Sequence, residues 1–403
     1  MAKLVVIGNG MAGMRTLEEI LKSAPNQYDI TVFGSEPHGN YNRIMLSSVL
    51  SGEKALDEIF INDQAWYDQH NITLYSGASK TVTRIDRQHR KVYTQDGTVA
   101  DYDRLLISTG SKPVIANVPG NHLAGIISFR DIADVNKMLD YSQHHKNAVV
   151  LGGGLLGLEA ANGLALRGMR VTVIHNNAVL LNRQMDTAAG TLLQKELESK
   201  GLNFKMASQV EQLLGDEKEH IKTIRLTDGS ELDCDLLVMA IGVKPNKALA
   251  KAAGLYCEQG IIVNDTLQTY DPRVYAVGEC IQHRGQTFGL VAPLFEQAKV
   301  CANHLTGHGV AQYLTLPTAT KLKVTGIQVF SIGNFMGDET SETLQFTDTA
   351  LGIYKKLVIK ANKLIGAVLY GDTQDSYWYQ ELLEKEQSIT PIRDQLIFGK
   401  AYV

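Results

Sequence analysis

Two glycine clusters carry the chemistry that this sequence is equipped to do. The first reads Gly8-Asn9-Gly10-Met11-Ala12-Gly13 and the second Gly152-Gly153-Gly154-Leu155-Leu156-Gly157. In each G-x-G-x-x-G, the first glycine permits a tight turn and the second lets backbone approach a pyrophosphate. The third lets helix and strand pack closely. Glu36 follows the first cluster where a carboxylate would accept ribose hydroxyls. The second cluster ends differently, in Ile174-His175-Asn176-Asn177, with no acid for an NAD ribose and no arginine for a 2′-phosphate. His175 therefore takes the ribose position. The missing basic pair favours NADH over NADPH.

These residues act only if regular elements hold them. Residues 4–7 (LVVI) read as a strand buried on both faces, followed by a helix through residue 22 and a second strand at 30–33. The order recurs with a strand at 148–151, a helix to residue 167 and a strand at 171–174. Each helix would present free N–H groups and its positive dipole end to phosphate. A single-nucleotide dehydrogenase needs one such unit. Two in one chain suggest a bound flavin dinucleotide, FAD, and an exchangeable nicotinamide that reduces it. Glu159 lies on the first turn of the second helix, where a carboxylate would also complement the dipole.

Composition removes other classes. The 403 residues are 44% hydrophobic and 20% charged, enough for two or three globular domains. A net charge of -4 without a dense basic block argues against nucleic acid as a partner. The mostly apolar stretch 149–166 holds Glu159, Asn162 and several glycines, which a membrane helix would tolerate badly. The apolar run at 4–7 starts at once and leaves no room for a signal peptide. Cys234, Cys257, Cys280 and Cys301 form no C-x-x-C pair, so neither a disulfide framework nor a locally built zinc or iron–sulfur site is expected, and no metal. The reading is of a soluble cytoplasmic chain. His144 and His145 read as surface, His283 as polar packing near the flavin motif, and Cys280 as a buried small residue.

Further segments resemble the two-dinucleotide flavoprotein disulfide reductase superfamily in chain order. They are YDRLLISTG (102–110), LVMAIGVKPN (237–246) and VYAVGEC (274–280), the last like that superfamily's second flavin motif. Within it, YNRIMLSSVLSGE (41–53), NRQMDTAAGTLLQKELESKG (182–201), GECIQHRGQTFGLVAPLFEQAKV (278–300), ATKLKVTGIQVFSIG (319–333) and GIYKKLVIKANKLIGAVLYGDT (352–373) narrow the match. They are similar to the N-terminal flavin part of the assimilatory NAD(P)H nitrite reductase large-subunit family, which is rubredoxin/ferredoxin reductase-like. The longer enzymes continue into a cysteine-rich iron–sulfur segment and a sirohaem region. This chain ends at Val403 before them. The resemblance thus implies an excised module or a stand-alone reductase, unable to reduce nitrite alone.

The resemblance implies an FAD set of Gly8, Gly10, Met11, Ala12, Gly13, Glu36, Arg43, Val82, Thr109, Gly110 and Glu279. Arg43 suits the flavin pyrophosphate because its planar fork pairs two phosphate oxygens. For the nicotinamide nucleotide the set is Gly152, Gly154, Leu155, Leu156, Gly157, His175 and Gly242. In related reductases a Glu at the place of Glu159 approaches the nicotinamide and flavin. A lysine common near the flavin is Ser48 here, and Lys323 is the substitute expected to favour a flavin anion. Disulfide-reducing relatives carry cysteine where this chain has residues 44–51 without one, so electrons are expected to leave from the flavin to an iron–sulfur or sirohaem acceptor.

The expected fold is α/β, with two Rossmann-like dinucleotide-binding domains and a small α+β C-terminal domain. Residues 1–117 and 246–316 would form the FAD domain, 118–245 the NAD(P)H domain, and 317–403 the last. In that domain short strands at 357–360 and 364–369 precede a helix at 376–386, and Tyr370, Tyr377, Trp378 and Tyr379 read as core more than docking face. The function expected is an FAD-dependent NAD(P)H oxidoreductase serving nitrite or nitrate reductase. The alternatives are a stand-alone rubredoxin- or ferredoxin-type NADH reductase and a non-catalytic flavin- or NAD-sensing subunit.

Overall fold

Leu4, Val5, Val6 and Ile7 are all buried, as an uninterrupted apolar run in a parallel sheet requires. They belong to β1 (Ala2–Ile7), which leads through α1 (Met11–Ser23) to β2 (Tyr28–Gly34), paired parallel from Ala2↔Tyr28 to Ile7↔Phe33. The computed structural model describes residues 1–315, 319–324 and 326–403, and of 322–324 only the backbone. Two compact units emerge, residues 1–46, 54–112 and 243–315 in one and 47–53, 113–242 and 316–403 in the other.

In the first unit the parallel sheet runs Val274–Ala276, Arg104–Ile107, β1, β2, Ile72–Ser76. α1 lays Ala12, Met14, Leu17 and Ile20 on the core, while its other face carries Arg15, Glu18, Glu19 and Lys22, ion-paired about one turn apart. After β2 the chain forms the six-residue α2 (Leu46–Ser51), which from Ser47 onward groups with the second unit.

The second unit repeats the plan with β3 (Asn147–Leu151), α3 (Leu155–Leu166) and β4 (Arg170–Ile174). Its sheet order is Ile126–Ser128, Leu236–Met239, β3, β4, Asn203–Lys205, all parallel. α3 buries Leu158, Ala160, Ala161 and Leu164, and Glu159 is the one charge within it. The two β–α–β repeats give the mixed α/β architecture that the glycine motifs imply.

The C-terminal part of this unit is an antiparallel sheet ordered Thr320–Val324, Ile327–Gly333, Lys363–Tyr370, Ile353–Lys360, Glu342–Asp348, with the helix Ser376–Glu384 packed on it. Tyr370 and Tyr379 are buried in it, Trp378 is partly buried, and Tyr377 is 73% exposed. The helix α4 (Thr187–Ser199) joins it to the rest of the unit. Asp186 caps α4 by accepting the Ala189 N–H, accepts the Tyr354 hydroxyl at 2.6 Å, and lies 3.5 Å from the Lys356 ammonium, all three being buried. Among the described residues no helix is long and apolar enough to cross a membrane.

Candidate dinucleotide-binding sites

In the first unit the turn after β1 is shaped by close backbone approach. Gly8 has φ +113°, and a Cβ there would overlap the Ser108 carbonyl, so any larger residue is excluded twice over. Gly10 is the N-cap of α1, supplies no side-chain cap, and has nothing within 4 Å of where a Cβ would stand. The N–H groups of the first turn, at Met11, Ala12 and Gly13, are those an α-helix leaves without intrahelical partners. Open space above uncapped donors suits a pyrophosphate. The loop is held by Tyr67, whose hydroxyl donates to Asn9 at 2.8 Å and accepts the Asn40 N–H.

At the end of β2 three side chains converge. Glu36 accepts the Tyr41 hydroxyl at 2.7 Å and forms an ion pair with Arg43, whose guanidinium lies 5.1 Å from the Tyr41 ring centre. Sequence spacing marked Glu36, and the resemblance pointed to Arg43; their pairing and the part of Tyr41 emerge only in three dimensions. Thr109 donates to the Asn246 carbonyl at 2.7 Å, and the Asn246 N–H donates to the Gly110 carbonyl. Glu279 accepts the Ser111 hydroxyl at 2.7 Å. Val82 opens the strand Val82–Asp86 and is buried in the unit's apolar core. Ser111 and Tyr67 carry no motif of their own, Tyr41 only opens the 41–53 segment, and it is their contacts that reveal all three.

The second unit copies the turn. Gly152 has φ +123° and a Cβ there would overlap the Ala240 carbonyl, while one on Gly157 would overlap the Gly152 carbonyl. Gly154 caps α3 with no side chain and with open space around it, leaving Leu155, Leu156 and Gly157 at an uncapped helix start. Gly242, at φ +119°, also stands in open space, and its carbonyl accepts the Val114 N–H. The end of its next strand is unlike that of the first unit. His175 is buried, accepts the Gly153 N–H on Nδ1 at 3.2 Å, and burial moves its pKa down, so the ring is neutral.

Glu159 lies one turn into α3. Burial pushes its carboxyl up to about 7, offset in part by a hydrogen bond with Ser47. Nothing in the sequence marks Ser47, since a serine in a short helix reads as a solvated residue. Lys323 falls on the strand Thr320–Val324, and its side chain lies outside the described residues.

Burial favours the protonated form of all four thiols. Burial raises Cys234 to about 12, Cys280 to about 11, and Cys301 further still, and the partly buried Cys257 is raised as well. His283 is fully buried, with Thr315 and Asp265 each 2.9 Å from a ring nitrogen, while Arg284 and His283 hold the Asp265 carboxyl down at about 2. His144 and His145 are exposed.

Two parallel sheets, each with a glycine turn, an uncapped helix start and a polar group at the next strand end, define a two-dinucleotide oxidoreductase fold. The sequence profile of the pyridine nucleotide-disulphide oxidoreductase family matches residues 2–303, and the chain belongs to that family. Residues 318–387 match the rubredoxin NAD+ reductase C-terminal domain.

The chain is 46% identical over 388 residues to the nitrite reductase (NAD(P)H) of Bacillus subtilis strain 168, covering 96% of this chain and 48% of that protein. It is 45% identical over 395 residues to the assimilatory nitrate reductase electron transfer subunit of the same strain, covering 98% and 51%. The chain thus spans about half the length of these curated relatives. Its fold matches a crystal structure of the ferredoxin reductase for the CYP199A2 system of Rhodopseudomonas palustris, with TM-score 0.89, 23% identity, and coverage of 100% of this chain and 98% of that one.

Proposed function

We propose that the chain is an FAD-dependent NAD(P)H oxidoreductase that serves as the electron-input part of an assimilatory nitrite or nitrate reductase in the cytoplasm. Bound FAD supplies the conversion of a two-electron hydride from NADH or NADPH into single electrons for an iron–sulfur or sirohaem acceptor. The observation that supports this reading is a pair of glycine turns with open space at uncapped helix starts, together with four thiols whose protonated form burial favours. With no thiolate to pass electrons through, a dithiol exit is closed.

The first unit binds FAD. Its glycine turn and α1 take the pyrophosphate with Arg43, Glu36 accepts the adenosine ribose, and Glu279 faces the ribityl chain, with Val82, Thr109 and Gly110 lining the site. The second unit binds the nicotinamide nucleotide through Gly152, Gly154, Leu155, Leu156 and Gly157, with Gly242 leaving space and His175 at the ribose. A neutral imidazole donates to a hydroxyl but brings no charge to a 2′-phosphate, which favours NADH. Glu159 orients the nicotinamide. The sheet domain 317–403 is the docking face for the acceptor.

Its match to a rubredoxin NAD+ reductase C-terminal domain supports a second reading, a stand-alone reductase of a rubredoxin- or ferredoxin-type carrier. Anaerobic visible absorption, titrated with NADH and then NADPH, tests the proposal. Rapid bleaching of flavin bands by NADH, followed by reoxidation with one-electron carriers, is expected. Reoxidation by disulfides but not by such carriers would overturn it, as would a chain that neither nucleotide bleaches.

A further inference from the structure

Glu159, Gly163 and Arg167 stand four residues apart, so they share one face of α3 and its C-cap. All three meet α2, within the same compact unit. At one end the Ser47 hydroxyl hydrogen-bonds the Glu159 carboxyl. In the middle Leu50, fully buried, sits so close that a Cβ on Gly163 would come within 2.7 Å of its Cγ and Cδ2. At the other end Arg167 donates from Nε to the Leu50 carbonyl at 2.7 Å and from Nη2 to the Val49 carbonyl at 3.1 Å.

Those carbonyls close the last turn of α2, where a cation is favoured by unsatisfied acceptors and the helix dipole. Gly52, at φ +88°, then carries the chain past the guanidinium, which stands 3.0 Å from where its Cβ would be. Ser47 and Leu50 are three residues apart on α2, so fixing Leu50 fixes Ser47. Two turns of helix separate Arg167 from Glu159, about 12 Å. Arg167 therefore acts on the carboxyl only through α2.

Among the described residues, the other elements against α3 bring Glu159 no charge. On β4 Arg170 is exposed; on the helix Ile132–His144, Lys137 and Asp140 are exposed and Asp134 is bonded to Ser128 and the Arg130 N–H. On the strand Thr320–Val324, Lys321 lies over the Tyr377 ring, and the side chain of Lys323 is outside the described residues. Burial and Ser47 are what set its titration.

We propose that Arg167 is a positioning residue that latches α2 over Glu159, keeping the carboxyl dry with the Ser47 hydroxyl as its partner. The inference rests on Glu159 being the residue that addresses the nicotinamide. A dry carboxyl keeps its proton near neutrality and donates to a neutral carboxamide oxygen; a wet one is an anion and repels it. The segment where disulfide-reducing relatives keep their cysteine thus serves here as a strap.

The test is an NMR titration of the full chain labelled with 13C at glutamate carboxyls, with Glu159→Gln assigning the resonance. Arg167→Ala admits water and lowers the Glu159 midpoint by about one unit or more, because burial is what raises it. Ser47→Ala keeps the latch, removes the bond that lowers the midpoint, and moves it upward. Arg167→Lys retains one donor and lies between wild type and Arg167→Ala. Hydrogen exchange over 46–53 quickens about tenfold in Arg167→Ala alone.

Opposite shifts for Arg167→Ala and Ser47→Ala support the latch. An unshifted midpoint in Arg167→Ala, or shifts of the same sign in both, overturns it. If Arg167→Ala does not fold, a midpoint in Arg167→Lys equal to wild type overturns it instead. Failure of the nicotinamide reading is separate: Glu159→Gln would then leave the KM for NADH and the rate of flavin reduction unchanged while the titration shifts persist.

Discussion

The two β–α–β repeats use one backbone solution with two different strand ends. In both, the first glycine takes a positive φ against a neighbouring carbonyl and the helix begins at an uncapped glycine. Beyond that they diverge. The first repeat ends in an ion pair, Glu36 with Arg43, beside the Tyr41 hydroxyl, and its helix turns a charged face outward. The second ends in a neutral, buried imidazole bonded to its own glycine loop, and its helix carries no charge except Glu159. Charge and a hydroxyl network suit a cofactor that stays; a neutral end suits a nucleotide that must leave after each turnover.

The sharpest way to break this equivalence is to block each turn separately. Gly8→Val and Gly152→Val both force a side chain into backbone, costing about 3 kcal/mol or more, on the order of a hundredfold in affinity. Gly8→Val should purify colourless. Gly152→Val should stay yellow yet resist bleaching by NADH. Equal colour loss in both would mean that the repeats do not divide the two nucleotides.

Glu159 sharpens the contrast through pH. Its carboxyl titrates near 7 in the folded chain against 4.5 when unfolded, so the folded state binds the proton more tightly. Its stabilisation is complete below pH 4.5 and fades as pH rises through 7, by about 3 kcal/mol. Chemical denaturation across that range should show a fall in wild type that Glu159→Gln flattens. A parallel fall in both proteins would assign the effect elsewhere.

At the ribose ends the effects are smaller. Glu36→Ala removes the partner of Arg43 and a charged hydrogen-bond acceptor, weakening flavin retention by about 2 kcal/mol, or about thirtyfold in Kd. Equilibrium dialysis of the released flavin reads this directly, and NADH affinity should not follow it. His175→Arg places a charge where a neutral ring stood, and the kcat/KM ratio of NADPH to NADH should rise by about fivefold, close to 1 kcal/mol. A ratio that stays put would remove His175 from nucleotide choice.

Much of this molecule is written in short-range terms. The strands around each glycine turn, both helix starts, Glu36, His175 and the lack of cysteine at 44–51 are legible in sequence, because turn geometry and apolar periodicity depend on neighbours a few residues away. The antiparallel C-terminal sheet is half legible: β-strand runs at 357–360 and 364–369 stand out, while Lys355 and Lys356 fall outside those runs. Both are in fact buried, Lys355 against Asp372 at 2.7 Å and Lys356 against Asp186. No local pattern announces a buried lysine, since the carboxylate that makes it tolerable lies far along the chain.

What the tertiary structure alone decided follows the same logic. The His175 bond to Gly153 and the grouping of residues 47–53 with the second unit depend on segments brought together from a distance, while Glu36, Tyr41 and Arg43, near neighbours in the chain, meet only because the backbone turns between them. The raised carboxyl of Glu159 is the clearest case. Its residue type and place on α3 are sequence facts, but its proton is held by desolvation, which exists only once the folded chain, α2 with Ser47 included, has closed around it.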